Sequence, residues 1–370
     1  MRQQDHLQFY DLCIRVQSPL FIGSGVTYLP KQYNRNPDKS ISIYDEQKFS
    51  AFLVQHGVME RYIDFVLHAK DADMYQFLTK ECGLKKEWRD LREAERYRIN
   101  AANVLDDKGK LCEIHAFQRD ARNQPYVPGS SIKGALRTAW LAHQVLEEDA
   151  ALHSTDDLWD ADKRPAFPES RYLNLLTLSG QKEDSVNDLF RGIQVSDSRP
   201  IASDDQKSKM ILCSKYDLHP KGQMNFLPVW RECIAAGTGL VCRLTLDQSV
   251  LKGRITKEIL TDAIRQYSAY YRTFFEFYAN HFTLPQNAAG LPESPCLILG
   301  GGSGFLAKTL VYPYLGEEAG LNWTIDRLNE KAPAHHHQKD HALGAAPRMM
   351  KYAFYKNKYY PYGFCEVNIV

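Results

Sequence analysis

Segments with strand-like alternation and segments with helical spacing are interleaved along this chain of 370 residues, and the loops between them are long. Residues 7–25, LQFYDLCIRVQSPLFIGSG, alternate apolar and polar side chains before a proline and a glycine-rich turn, which predicts a β-strand. Residues 255–282 predict a long amphipathic helix. Interleaved elements with long loops favour antiparallel sheets built from split β-α-β units over a doubly wound parallel sheet.

The predicted fold class is α+β, with two ferredoxin-like (RRM-like) domains and helical insertions. We expect the first domain to span residues 1–222 and to carry a helical insertion at about residues 45–100. Within it, residues 58–98 are expected to be mostly helical. The second domain is expected to span residues 223–370 and to contain a glycine-rich loop. No linker-like segment marks the boundary, which we place near residue 222.

Composition narrows the classes of function. The formal net charge is +1, so bulk charge does not indicate a polyanionic partner, although basic segments can still form local patches. Eight cysteines are scattered without a CxxC pair, which favours buried thiols in a reducing compartment over a disulfide framework or a zinc ribbon. No apolar run reaches the roughly 18 residues of a membrane span, and the N terminus lacks the apolar core of a secretory signal. We therefore expect a cytoplasmic protein without a membrane partner.

The segment PGSSIKGALRTAW predicts a helix start that binds phosphate. The helix is expected to begin at Ser130 or Ser131, either of which can cap it. Lys133 and Arg137 lie one turn apart on one face, although the dipole at a helix N terminus favours acidic residues. Backbone N–H groups from Gly129 onward, the serine hydroxyls and the two cations would then converge on a phosphate. The alternative is a well-capped helix whose basic residues face water.

The segment ILGGGSGFLAKTL nearly matches the GxxxxGK[ST] phosphate loop of nucleotide-binding proteins. Ala307 occupies the position of the second glycine, where a Cβ would hinder the backbone from wrapping a phosphate, so we do not expect ATP binding. The glycines can still approach another backbone closely, and a lysine lies nearby. The alternative is a plain flexible turn. The expected contact residues are Gly300, Gly301, Gly302, Ser303, Gly304 and Lys308.

Two further segments carry candidate ligand residues. RMMKYAFYKNKYYPYGF interleaves basic and aromatic side chains, so Arg348 and Lys351 are expected to hold an RNA backbone while aromatic rings stack on unpaired bases. Packing of those rings in the core is the alternative. HHHQKDH could bind a transition metal if it were helical, but Pro333 and the polar surroundings favour an exposed loop. We expect no metal and no other cofactor.

The sequence contains no catalytic signature such as GxSxG or HExxH. His115 lies in a strand-like segment, which is more typical of a packed histidine than of a general base. We therefore do not expect an enzyme.

The segment YVPGSSIKGALRTAW resembles the signature of the repeat-associated mysterious proteins (RAMPs), which are subunits of CRISPR effector complexes. That signature has an aromatic residue, Pro-Gly-Ser-Ser, an aliphatic residue, Lys-Gly, two residues and Arg. Three further pieces match in the family's order: SPLFIGSG its first strand and turn, FRGIQVSDS with WRECIAAGTG its middle strands, and LGGGSGFLAKT its glycine-rich loop. With APRMMKY near its end, the chain is most similar to the large RAMP subunit that caps the guide RNA (crRNA) 3′ end in type III-A (Csm) complexes.

The resemblance implies a non-catalytic RNA-binding subunit that supports 3′ maturation of crRNA and antiviral defence. Its implied partners are crRNA, the target RNA in the assembled complex, a neighbouring backbone RAMP, the small helical subunits, and cellular nucleases that trim the 3′ end.

The chain also departs from the family pattern. Its glycine-rich loop lacks the Ser-Arg-Gly of many RAMPs, which leaves the RNA contact of the loop open. RAMPs that cut target RNA use an aspartate after the first strand, where this chain offers only Asp38 beside Pro37, so we expect no target cleavage. The alternative function is a metal-independent endoribonuclease that processes precursor guide RNA, with His115 or a late histidine as general acid or base.

Overall fold

The computed structural model describes residues 6–69, 73–105, 111–160, 162 and 164–370, and within these it describes every side chain except those of Trp88 and Arg89. The strands are, in chain order, β1 (Leu7–Val16), β2 (Gly23–Tyr28), β3 (Tyr33–Arg35), β4 (Ser40–Tyr44), β5 (Glu95–Asn100), β6 (Glu113–Phe117), β7 (Ile193–Val195), β8 (Met210–Leu218), β9 (Met224–Ile234), β10 (Gly239–Asp247), β11 (Cys296–Ile298), β12 (Met350–Tyr355), β13 (Lys358–Tyr360) and β14 (Phe364–Ile369).

The helices are α1 (Glu46–Gln55), α2 (Met59–His68), α3 (Met74–Gln76), α4 (Trp88–Glu93), α5 (Gly129–Glu147), α6 (Glu169–Leu173), α7 (Ser203–Lys209), α8 (Gln248–Leu251), α9 (Lys257–Ala279), α10 (Val311–Leu315), α11 (Glu317–Lys331) and α12 (Asp340–Leu343). Among these described helices, none combines the length and the apolar character that crossing a membrane requires. No disulfide joins the eight cysteines, all of which lie in the described residues.

The first sheet has the strand order β11-β14-β1-β10-β7, and all of its neighbouring strands are antiparallel. Apart from the edge strand β11, the chain visits β1, β7, β10 and β14 in turn, with α5 after the first of them and α9 after the third. This is the β-α-β-β-α-β arrangement of a ferredoxin-like unit. β1 is central, because Ile14 lies opposite both Leu240 of β10 and Val367 of β14.

The two long helices pack against each other and against this sheet. The helical spacing predicted for α5 is confirmed, since Ile132, Leu136 and Ala139 are fully buried in the main hydrophobic core. The long amphipathic helix predicted near residue 255 is confirmed as α9. Its buried side places Leu260 and Ala263 in the same core.

The second sheet has the order β2-β6-β9-β8-β5-β4-β3, and β12 and β13 join it through β8. β8 carries two strands on one edge: β5 pairs at its start, where Asn100 lies opposite Ile211, and β12 pairs along its second half. The mixed helix and sheet content and the two sheets agree with the predicted α+β fold class of ferredoxin-like units.

The helical insertion is formed by α1 to α4, which enclose a separate hydrophobic cluster built around Phe49, Phe65 and Phe77. The prediction that residues 58–98 are mostly helical is wrong at its end, where β5 begins at Glu95. The reason is local alternation: Tyr97 and Ile99 are buried between more exposed neighbours, and β5 pairs with β4.

The two sheets do not follow the predicted boundary at residue 222. That residue lies in the turn between β8 and β9, which pair with each other from Met210 and Ile234 to Leu218 and Met224. The first sheet likewise joins β1 and β7 to β10 and β14. Because a cut at residue 222 would separate paired strands in both sheets, we describe the molecule by its sheets. Its division into domains stays a prediction.

Candidate nucleic-acid interface

A cavity of about 430 Å³ lies between the N-terminal half of α5 and the glycine-rich loop that follows β11. The lining residues from α5 are Ser130, Ser131, Gly134, Ala135 and Thr138. The opposite wall and the ends are formed by Ile22, Gly23, Tyr267, Ile298, Gly300, Gly301, Ala307 and Lys308. Two segments that the sequence suggested as separate phosphate sites therefore share one cavity.

The glycine-rich loop is held at both ends of the cavity. The Gly301 N–H donates to the Phe21 carbonyl at 2.8 Å, and the Tyr267 hydroxyl of α9 donates to the Ala307 carbonyl at 3.0 Å. The helix that follows, α10, begins only at Val311 and has five residues. A nucleotide phosphate loop leads directly into a long helix instead, so the local structure does not resemble an ATP site.

The prediction that Ser130 or Ser131 caps α5 is wrong. The helix begins at Gly129 with Pro128 as its cap residue, and no side chain of the cap residue accepts a hydrogen bond. Instead, the Asp197 carboxylate accepts the Gly129 N–H at 2.8 Å and supplies the negative charge that the helix dipole favours. Neither serine caps the helix, and both residues line the cavity.

Gly129 is required by close packing at the same helix end. A Cβ at this position would overlap the carbonyl oxygen of Val195, the last residue of β7, and the backbone of Ser196 after it. The Pro-Gly-Ser-Ser segment therefore brings α5 into direct backbone contact with the first sheet. This contact fixes the two serines relative to the sheet.

The two predicted cations of α5 do not converge on the cavity, which corrects the expectation from their spacing. Arg137 pairs with Glu169 at 2.8 Å and with Asp188 at 2.5 Å. Burial lowers the pKa of Arg137, but its hydrogen bonds to these carboxylates outweigh burial and raise the pKa. Burial lowers the pKa of Lys133. The charge of Asp188 opposes this effect, and the charge of Arg137 adds to it. Arg137 thus ties α5 to α6 and to the segment before β7.

Lys308 supplies the one charged side chain in the described lining of the cavity, and it is exposed. Gly302, Ser303 and Gly304 do not line the cavity but continue the loop toward the second sheet. There, a Cβ on Gly304 would lie 3.6 Å from Cγ of Lys351. The cavity therefore combines two serine hydroxyls, glycine backbone and one lysine.

The two C-terminal candidates already have carboxylate partners. Lys351 Nζ lies 2.6 Å from Asp217 Oδ2, and Arg348 Nε lies 3.2 Å from Asp340 Oδ1. His337, from the histidine-rich segment, is buried and lies 2.8 Å from the same Asp340. No group of three or more His, Cys, Asp or Glu residues in the described part of the chain is placed to hold a metal ion.

The aromatic rings of the C-terminal segment mainly support the core. Tyr352, Tyr355, Tyr362 and Phe364 are buried. The first of these packs in a cluster with Phe274 of α9. Stacking on bases is therefore closed to these four rings, as the alternative interpretation of the segment expects.

Two residues bear on the cleavage alternatives. Burial and then the charge of Arg231 lower the pKa of His115, which favours its neutral form, and Lys215 acts in the same direction. Asp38 accepts hydrogen bonds from Ser40 and Arg98. Burial raises the pKa of Asp38, but these contacts outweigh it and lower the pKa. Its carboxylate is therefore engaged in a turn.

Sequence reasoning missed part of the cavity. Ile22 comes from the link between β1 and β2, and Gly23 begins β2. Thr138 comes from the third turn of α5 and Tyr267 from the middle of α9. Ile22 and Gly23 belong to the SPLFIGSG segment, whose glycine-rich turn is recognisable in the sequence. Thr138 and Tyr267 have no local signal, because only the packing of α5 and α9 brings them together.

Comparison with known proteins adds a family to this geometry. The sequence model of the RAMP superfamily matches residues 13–267, which is more than half of the chain. The chain therefore belongs to the RAMP superfamily.

Relatives and solved structures point to one branch of that family. A Mycobacterium tuberculosis protein described as CRISPR system Cms protein Csm5 is 26% identical, with 98% of both chains covered. The Streptococcus thermophilus protein of the same description is 28% identical, with 81% of this chain and 80% of the relative covered.

Two solved structures have a similar fold over almost the whole chain. A chain of the Csm-crRNA-target RNA ternary complex of a type III-A CRISPR-Cas system has a TM-score of 0.64 at 19% identity, with 97% of this chain and 100% of that chain covered. The crystal structure of T. onnurineus Csm5 has a TM-score of 0.58 at 17% identity, with 96% and 99% covered.

Proposed function

We propose that this chain is a non-catalytic RNA-binding subunit of a type III-A CRISPR effector complex, where it caps the filament at the crRNA 3′ end. The observation that carries the proposal is the cavity shared by the family signature on α5 and the glycine-rich loop. The relatives described as Csm5 and the similar chain in a Csm-crRNA-target RNA complex support it.

The cavity would hold the RNA backbone rather than read its sequence. Serine hydroxyls and a lysine ammonium donate to phosphate oxygens, and glycines let a backbone approach without side-chain obstruction. Ser130, Ser131 and Lys308 are the residues that we assign to this contact, with Gly300 and Gly301 as its floor. We leave out Arg137, whose guanidinium is occupied by Glu169 and Asp188.

A subunit that caps the filament acts by binding RNA and neighbouring subunits, so it needs no catalytic residue of its own. We propose that the chain contacts crRNA, the target RNA, a neighbouring backbone RAMP and the small helical subunits, and that cellular nucleases trim the guide up to this end. The engaged carboxylate of Asp38 supports the proposal that this residue does not cut RNA.

The test is co-expression of the complex with and without this chain, followed by pull-down on another subunit and sizing of the bound guide RNA. We expect guides that are longer or more heterogeneous at the 3′ end when the chain is omitted. Guides of unchanged length in an otherwise intact complex would reject the capping function. Defined cleavage of repeat RNA by the pure chain, lost on His115→Ala, would support the endoribonuclease instead.

A further inference from the structure

A strip of basic side chains lies on the second sheet, beside the glycine-rich loop at Gly302. It consists of His115 on β6, Arg231 on β9, Lys215 on β8 and Lys351 on β12, and we call it the basic strip. Arg231 lies directly opposite His115 on one side and Cys213 on the other. The register of β8 and β9 shifts between Ser214 and Lys215. Lys215 lies opposite Ala353 of β12, two residues from Lys351, and the charge of Arg231 acts on it.

The side chains of the basic strip act on one another electrostatically. Burial lowers the pKa of Lys215, and the charges of Arg231 and Lys351 lower it further, while Asp217 opposes them. The two nearby carboxylates are Asp217, which pairs with Lys351 at 2.6 Å, and Glu113 on β6. Lys215 and Arg231 have no ion-pair partner among the described residues. The strip thus keeps unneutralised positive charge.

Arg231 packs between aromatic rings, and its guanidinium also interacts with the Tyr362 hydroxyl. Its guanidinium carbon lies 4.9 Å from the ring centroid of Phe21 and 5.2 Å from that of Tyr362. Its Nε and Nη1 atoms are buried, and neither finds a hydrogen-bond acceptor among the described residues. A guanidinium offers five donors and no acceptor, so the ligand chemistry that would complete this site is anionic.

Gly302 joins the basic strip to the cavity. Its backbone has a φ of +89°, and a Cβ there would overlap Nη1 of Arg231 and crowd the ring of Tyr362. Only a glycine lets the loop pass this close to the guanidinium. The same loop therefore lines the cavity with Gly300 and Gly301 and touches the basic strip at the next residue, Gly302.

We propose that the basic strip is a second phosphate-binding subsite, which receives the backbone of single-stranded RNA after it leaves the cavity and crosses the glycine-rich loop. This inference rests on the proposed function and extends it. Positive charge without a paired carboxylate suits phosphate oxygens, and Lys215, Arg231 and Lys351 are each only partly buried.

The test measures binding of the purified full chain to a 5′-fluorescein-labelled uridine oligonucleotide of about 20 residues over a range of salt concentrations. The variants are Lys215→Glu, Lys215→Gln, Lys215→Arg and Lys308→Glu, with Lys48→Glu on the exposed face of α1 as a charge-matched control. We expect Lys215→Glu and Lys215→Gln to weaken binding and to reduce the log–log salt slope by about 0.7, the value of one released phosphate contact on a single strand. Lys215→Arg and Lys48→Glu should bind as wild type does.

The outcomes separate this inference from the proposed function. If Lys308→Glu weakens binding while both neutral and acidic variants of Lys215 bind as wild type, the second subsite is rejected and the cavity stands. If Lys48→Glu weakens binding as much as Lys215→Glu, the effect is one of overall charge, and the subsite is again rejected. If the wild-type chain does not bind the oligonucleotide, both proposals fail. Lys215→Gln keeps the test valid if a carboxylate at this position disturbs folding.

Discussion

At the scale of single residues, Gly129 shows how tightly the signature segment is built into the first sheet. Gly129→Ala would force a Cβ into the Val195 carbonyl oxygen, and we expect it to lower the free energy of unfolding by about 1–3 kcal/mol, the range for overpacking. Urea unfolding followed by circular dichroism measures this.

Gly134, one turn later on the same helix, is the matched control. A Cβ there meets no atom within 4 Å, so Gly134→Ala should stabilise α5 by up to about 1 kcal/mol through helix propensity. Equal effects of the two substitutions would contradict the packing described at Gly129.

Lys308 is the residue on which the charge of the cavity depends. Lys308→Glu should weaken RNA binding by roughly tenfold at low salt and leave the melting temperature unchanged, because the side chain is exposed and sits in a loop. Fluorescence anisotropy and thermal unfolding test the two parts separately. The control is Lys221→Glu, an exposed lysine in the turn between β8 and β9. A loss of affinity that is equal in the two variants would remove Lys308 from the site.

At the scale of elements, Arg137 joins three parts of the chain through its carboxylate partners. Arg137→Ala leaves Asp188 without its cation, and that side chain is only 18% exposed. We expect a loss of about 1–3 kcal/mol in the free energy of unfolding. Arg265→Ala on α9 is the control, because its pair with Asp262 is on the surface and should be worth less than about 1 kcal/mol. Similar losses from both would show that Arg137 does not anchor α5.

Glu148 joins the end of α5 to α6 and gives a pH-dependent prediction. Burial raises its pKa, but His153, Tyr172 and the charge of Arg171 outweigh burial and hold the pKa below its ordinary value of 4.5. A lowered folded-state pKa stabilises the protein above pH 4.5, and this stability is lost as pH falls through the folded-state pKa. The wild type should therefore exceed Glu148→Gln in free energy of unfolding by a constant amount above pH 4.5 and by less below it. Urea titrations from pH 7 to about pH 4 test this, and a difference that grows on acidification would contradict it.

Helices and strands could be predicted from the sequence where a local pattern of apolar residues marks them. Apolar spacing places α5 and α9, and alternation places β1. The partners of Arg137 lie 32 and 51 residues further along the chain, so no local pattern shows that its charge is already used. The spacing of Lys133 and Arg137 therefore predicted that both cations converge with the serines, but neither lines the cavity and Arg137 is paired with carboxylates.

At the scale of the whole molecule, pairing between distant strands limits prediction from the sequence. Each sheet mixes early and late strands, so a linear boundary near residue 222 has no counterpart in the pairing. Arg231 shows the same limit for the site. In the sequence it is one arginine in a strand, and only the fold places it between Phe21 and Tyr362, beside the glycine-rich loop.

The central claim is that RNA lies in the cavity between α5 and the glycine-rich loop, and ultraviolet crosslinking in the assembled complex tests it most directly. Trypsin would release residues 123–133, which carry the two serines, and residues 273–308, which carry the loop. We predict that mass spectrometry finds crosslinked nucleotides on both peptides, and fewer of them in Lys308→Glu, where trypsin releases residues 273–327 in place of 273–308. Crosslinks confined to other parts of the chain, such as the helical insertion, would contradict the account.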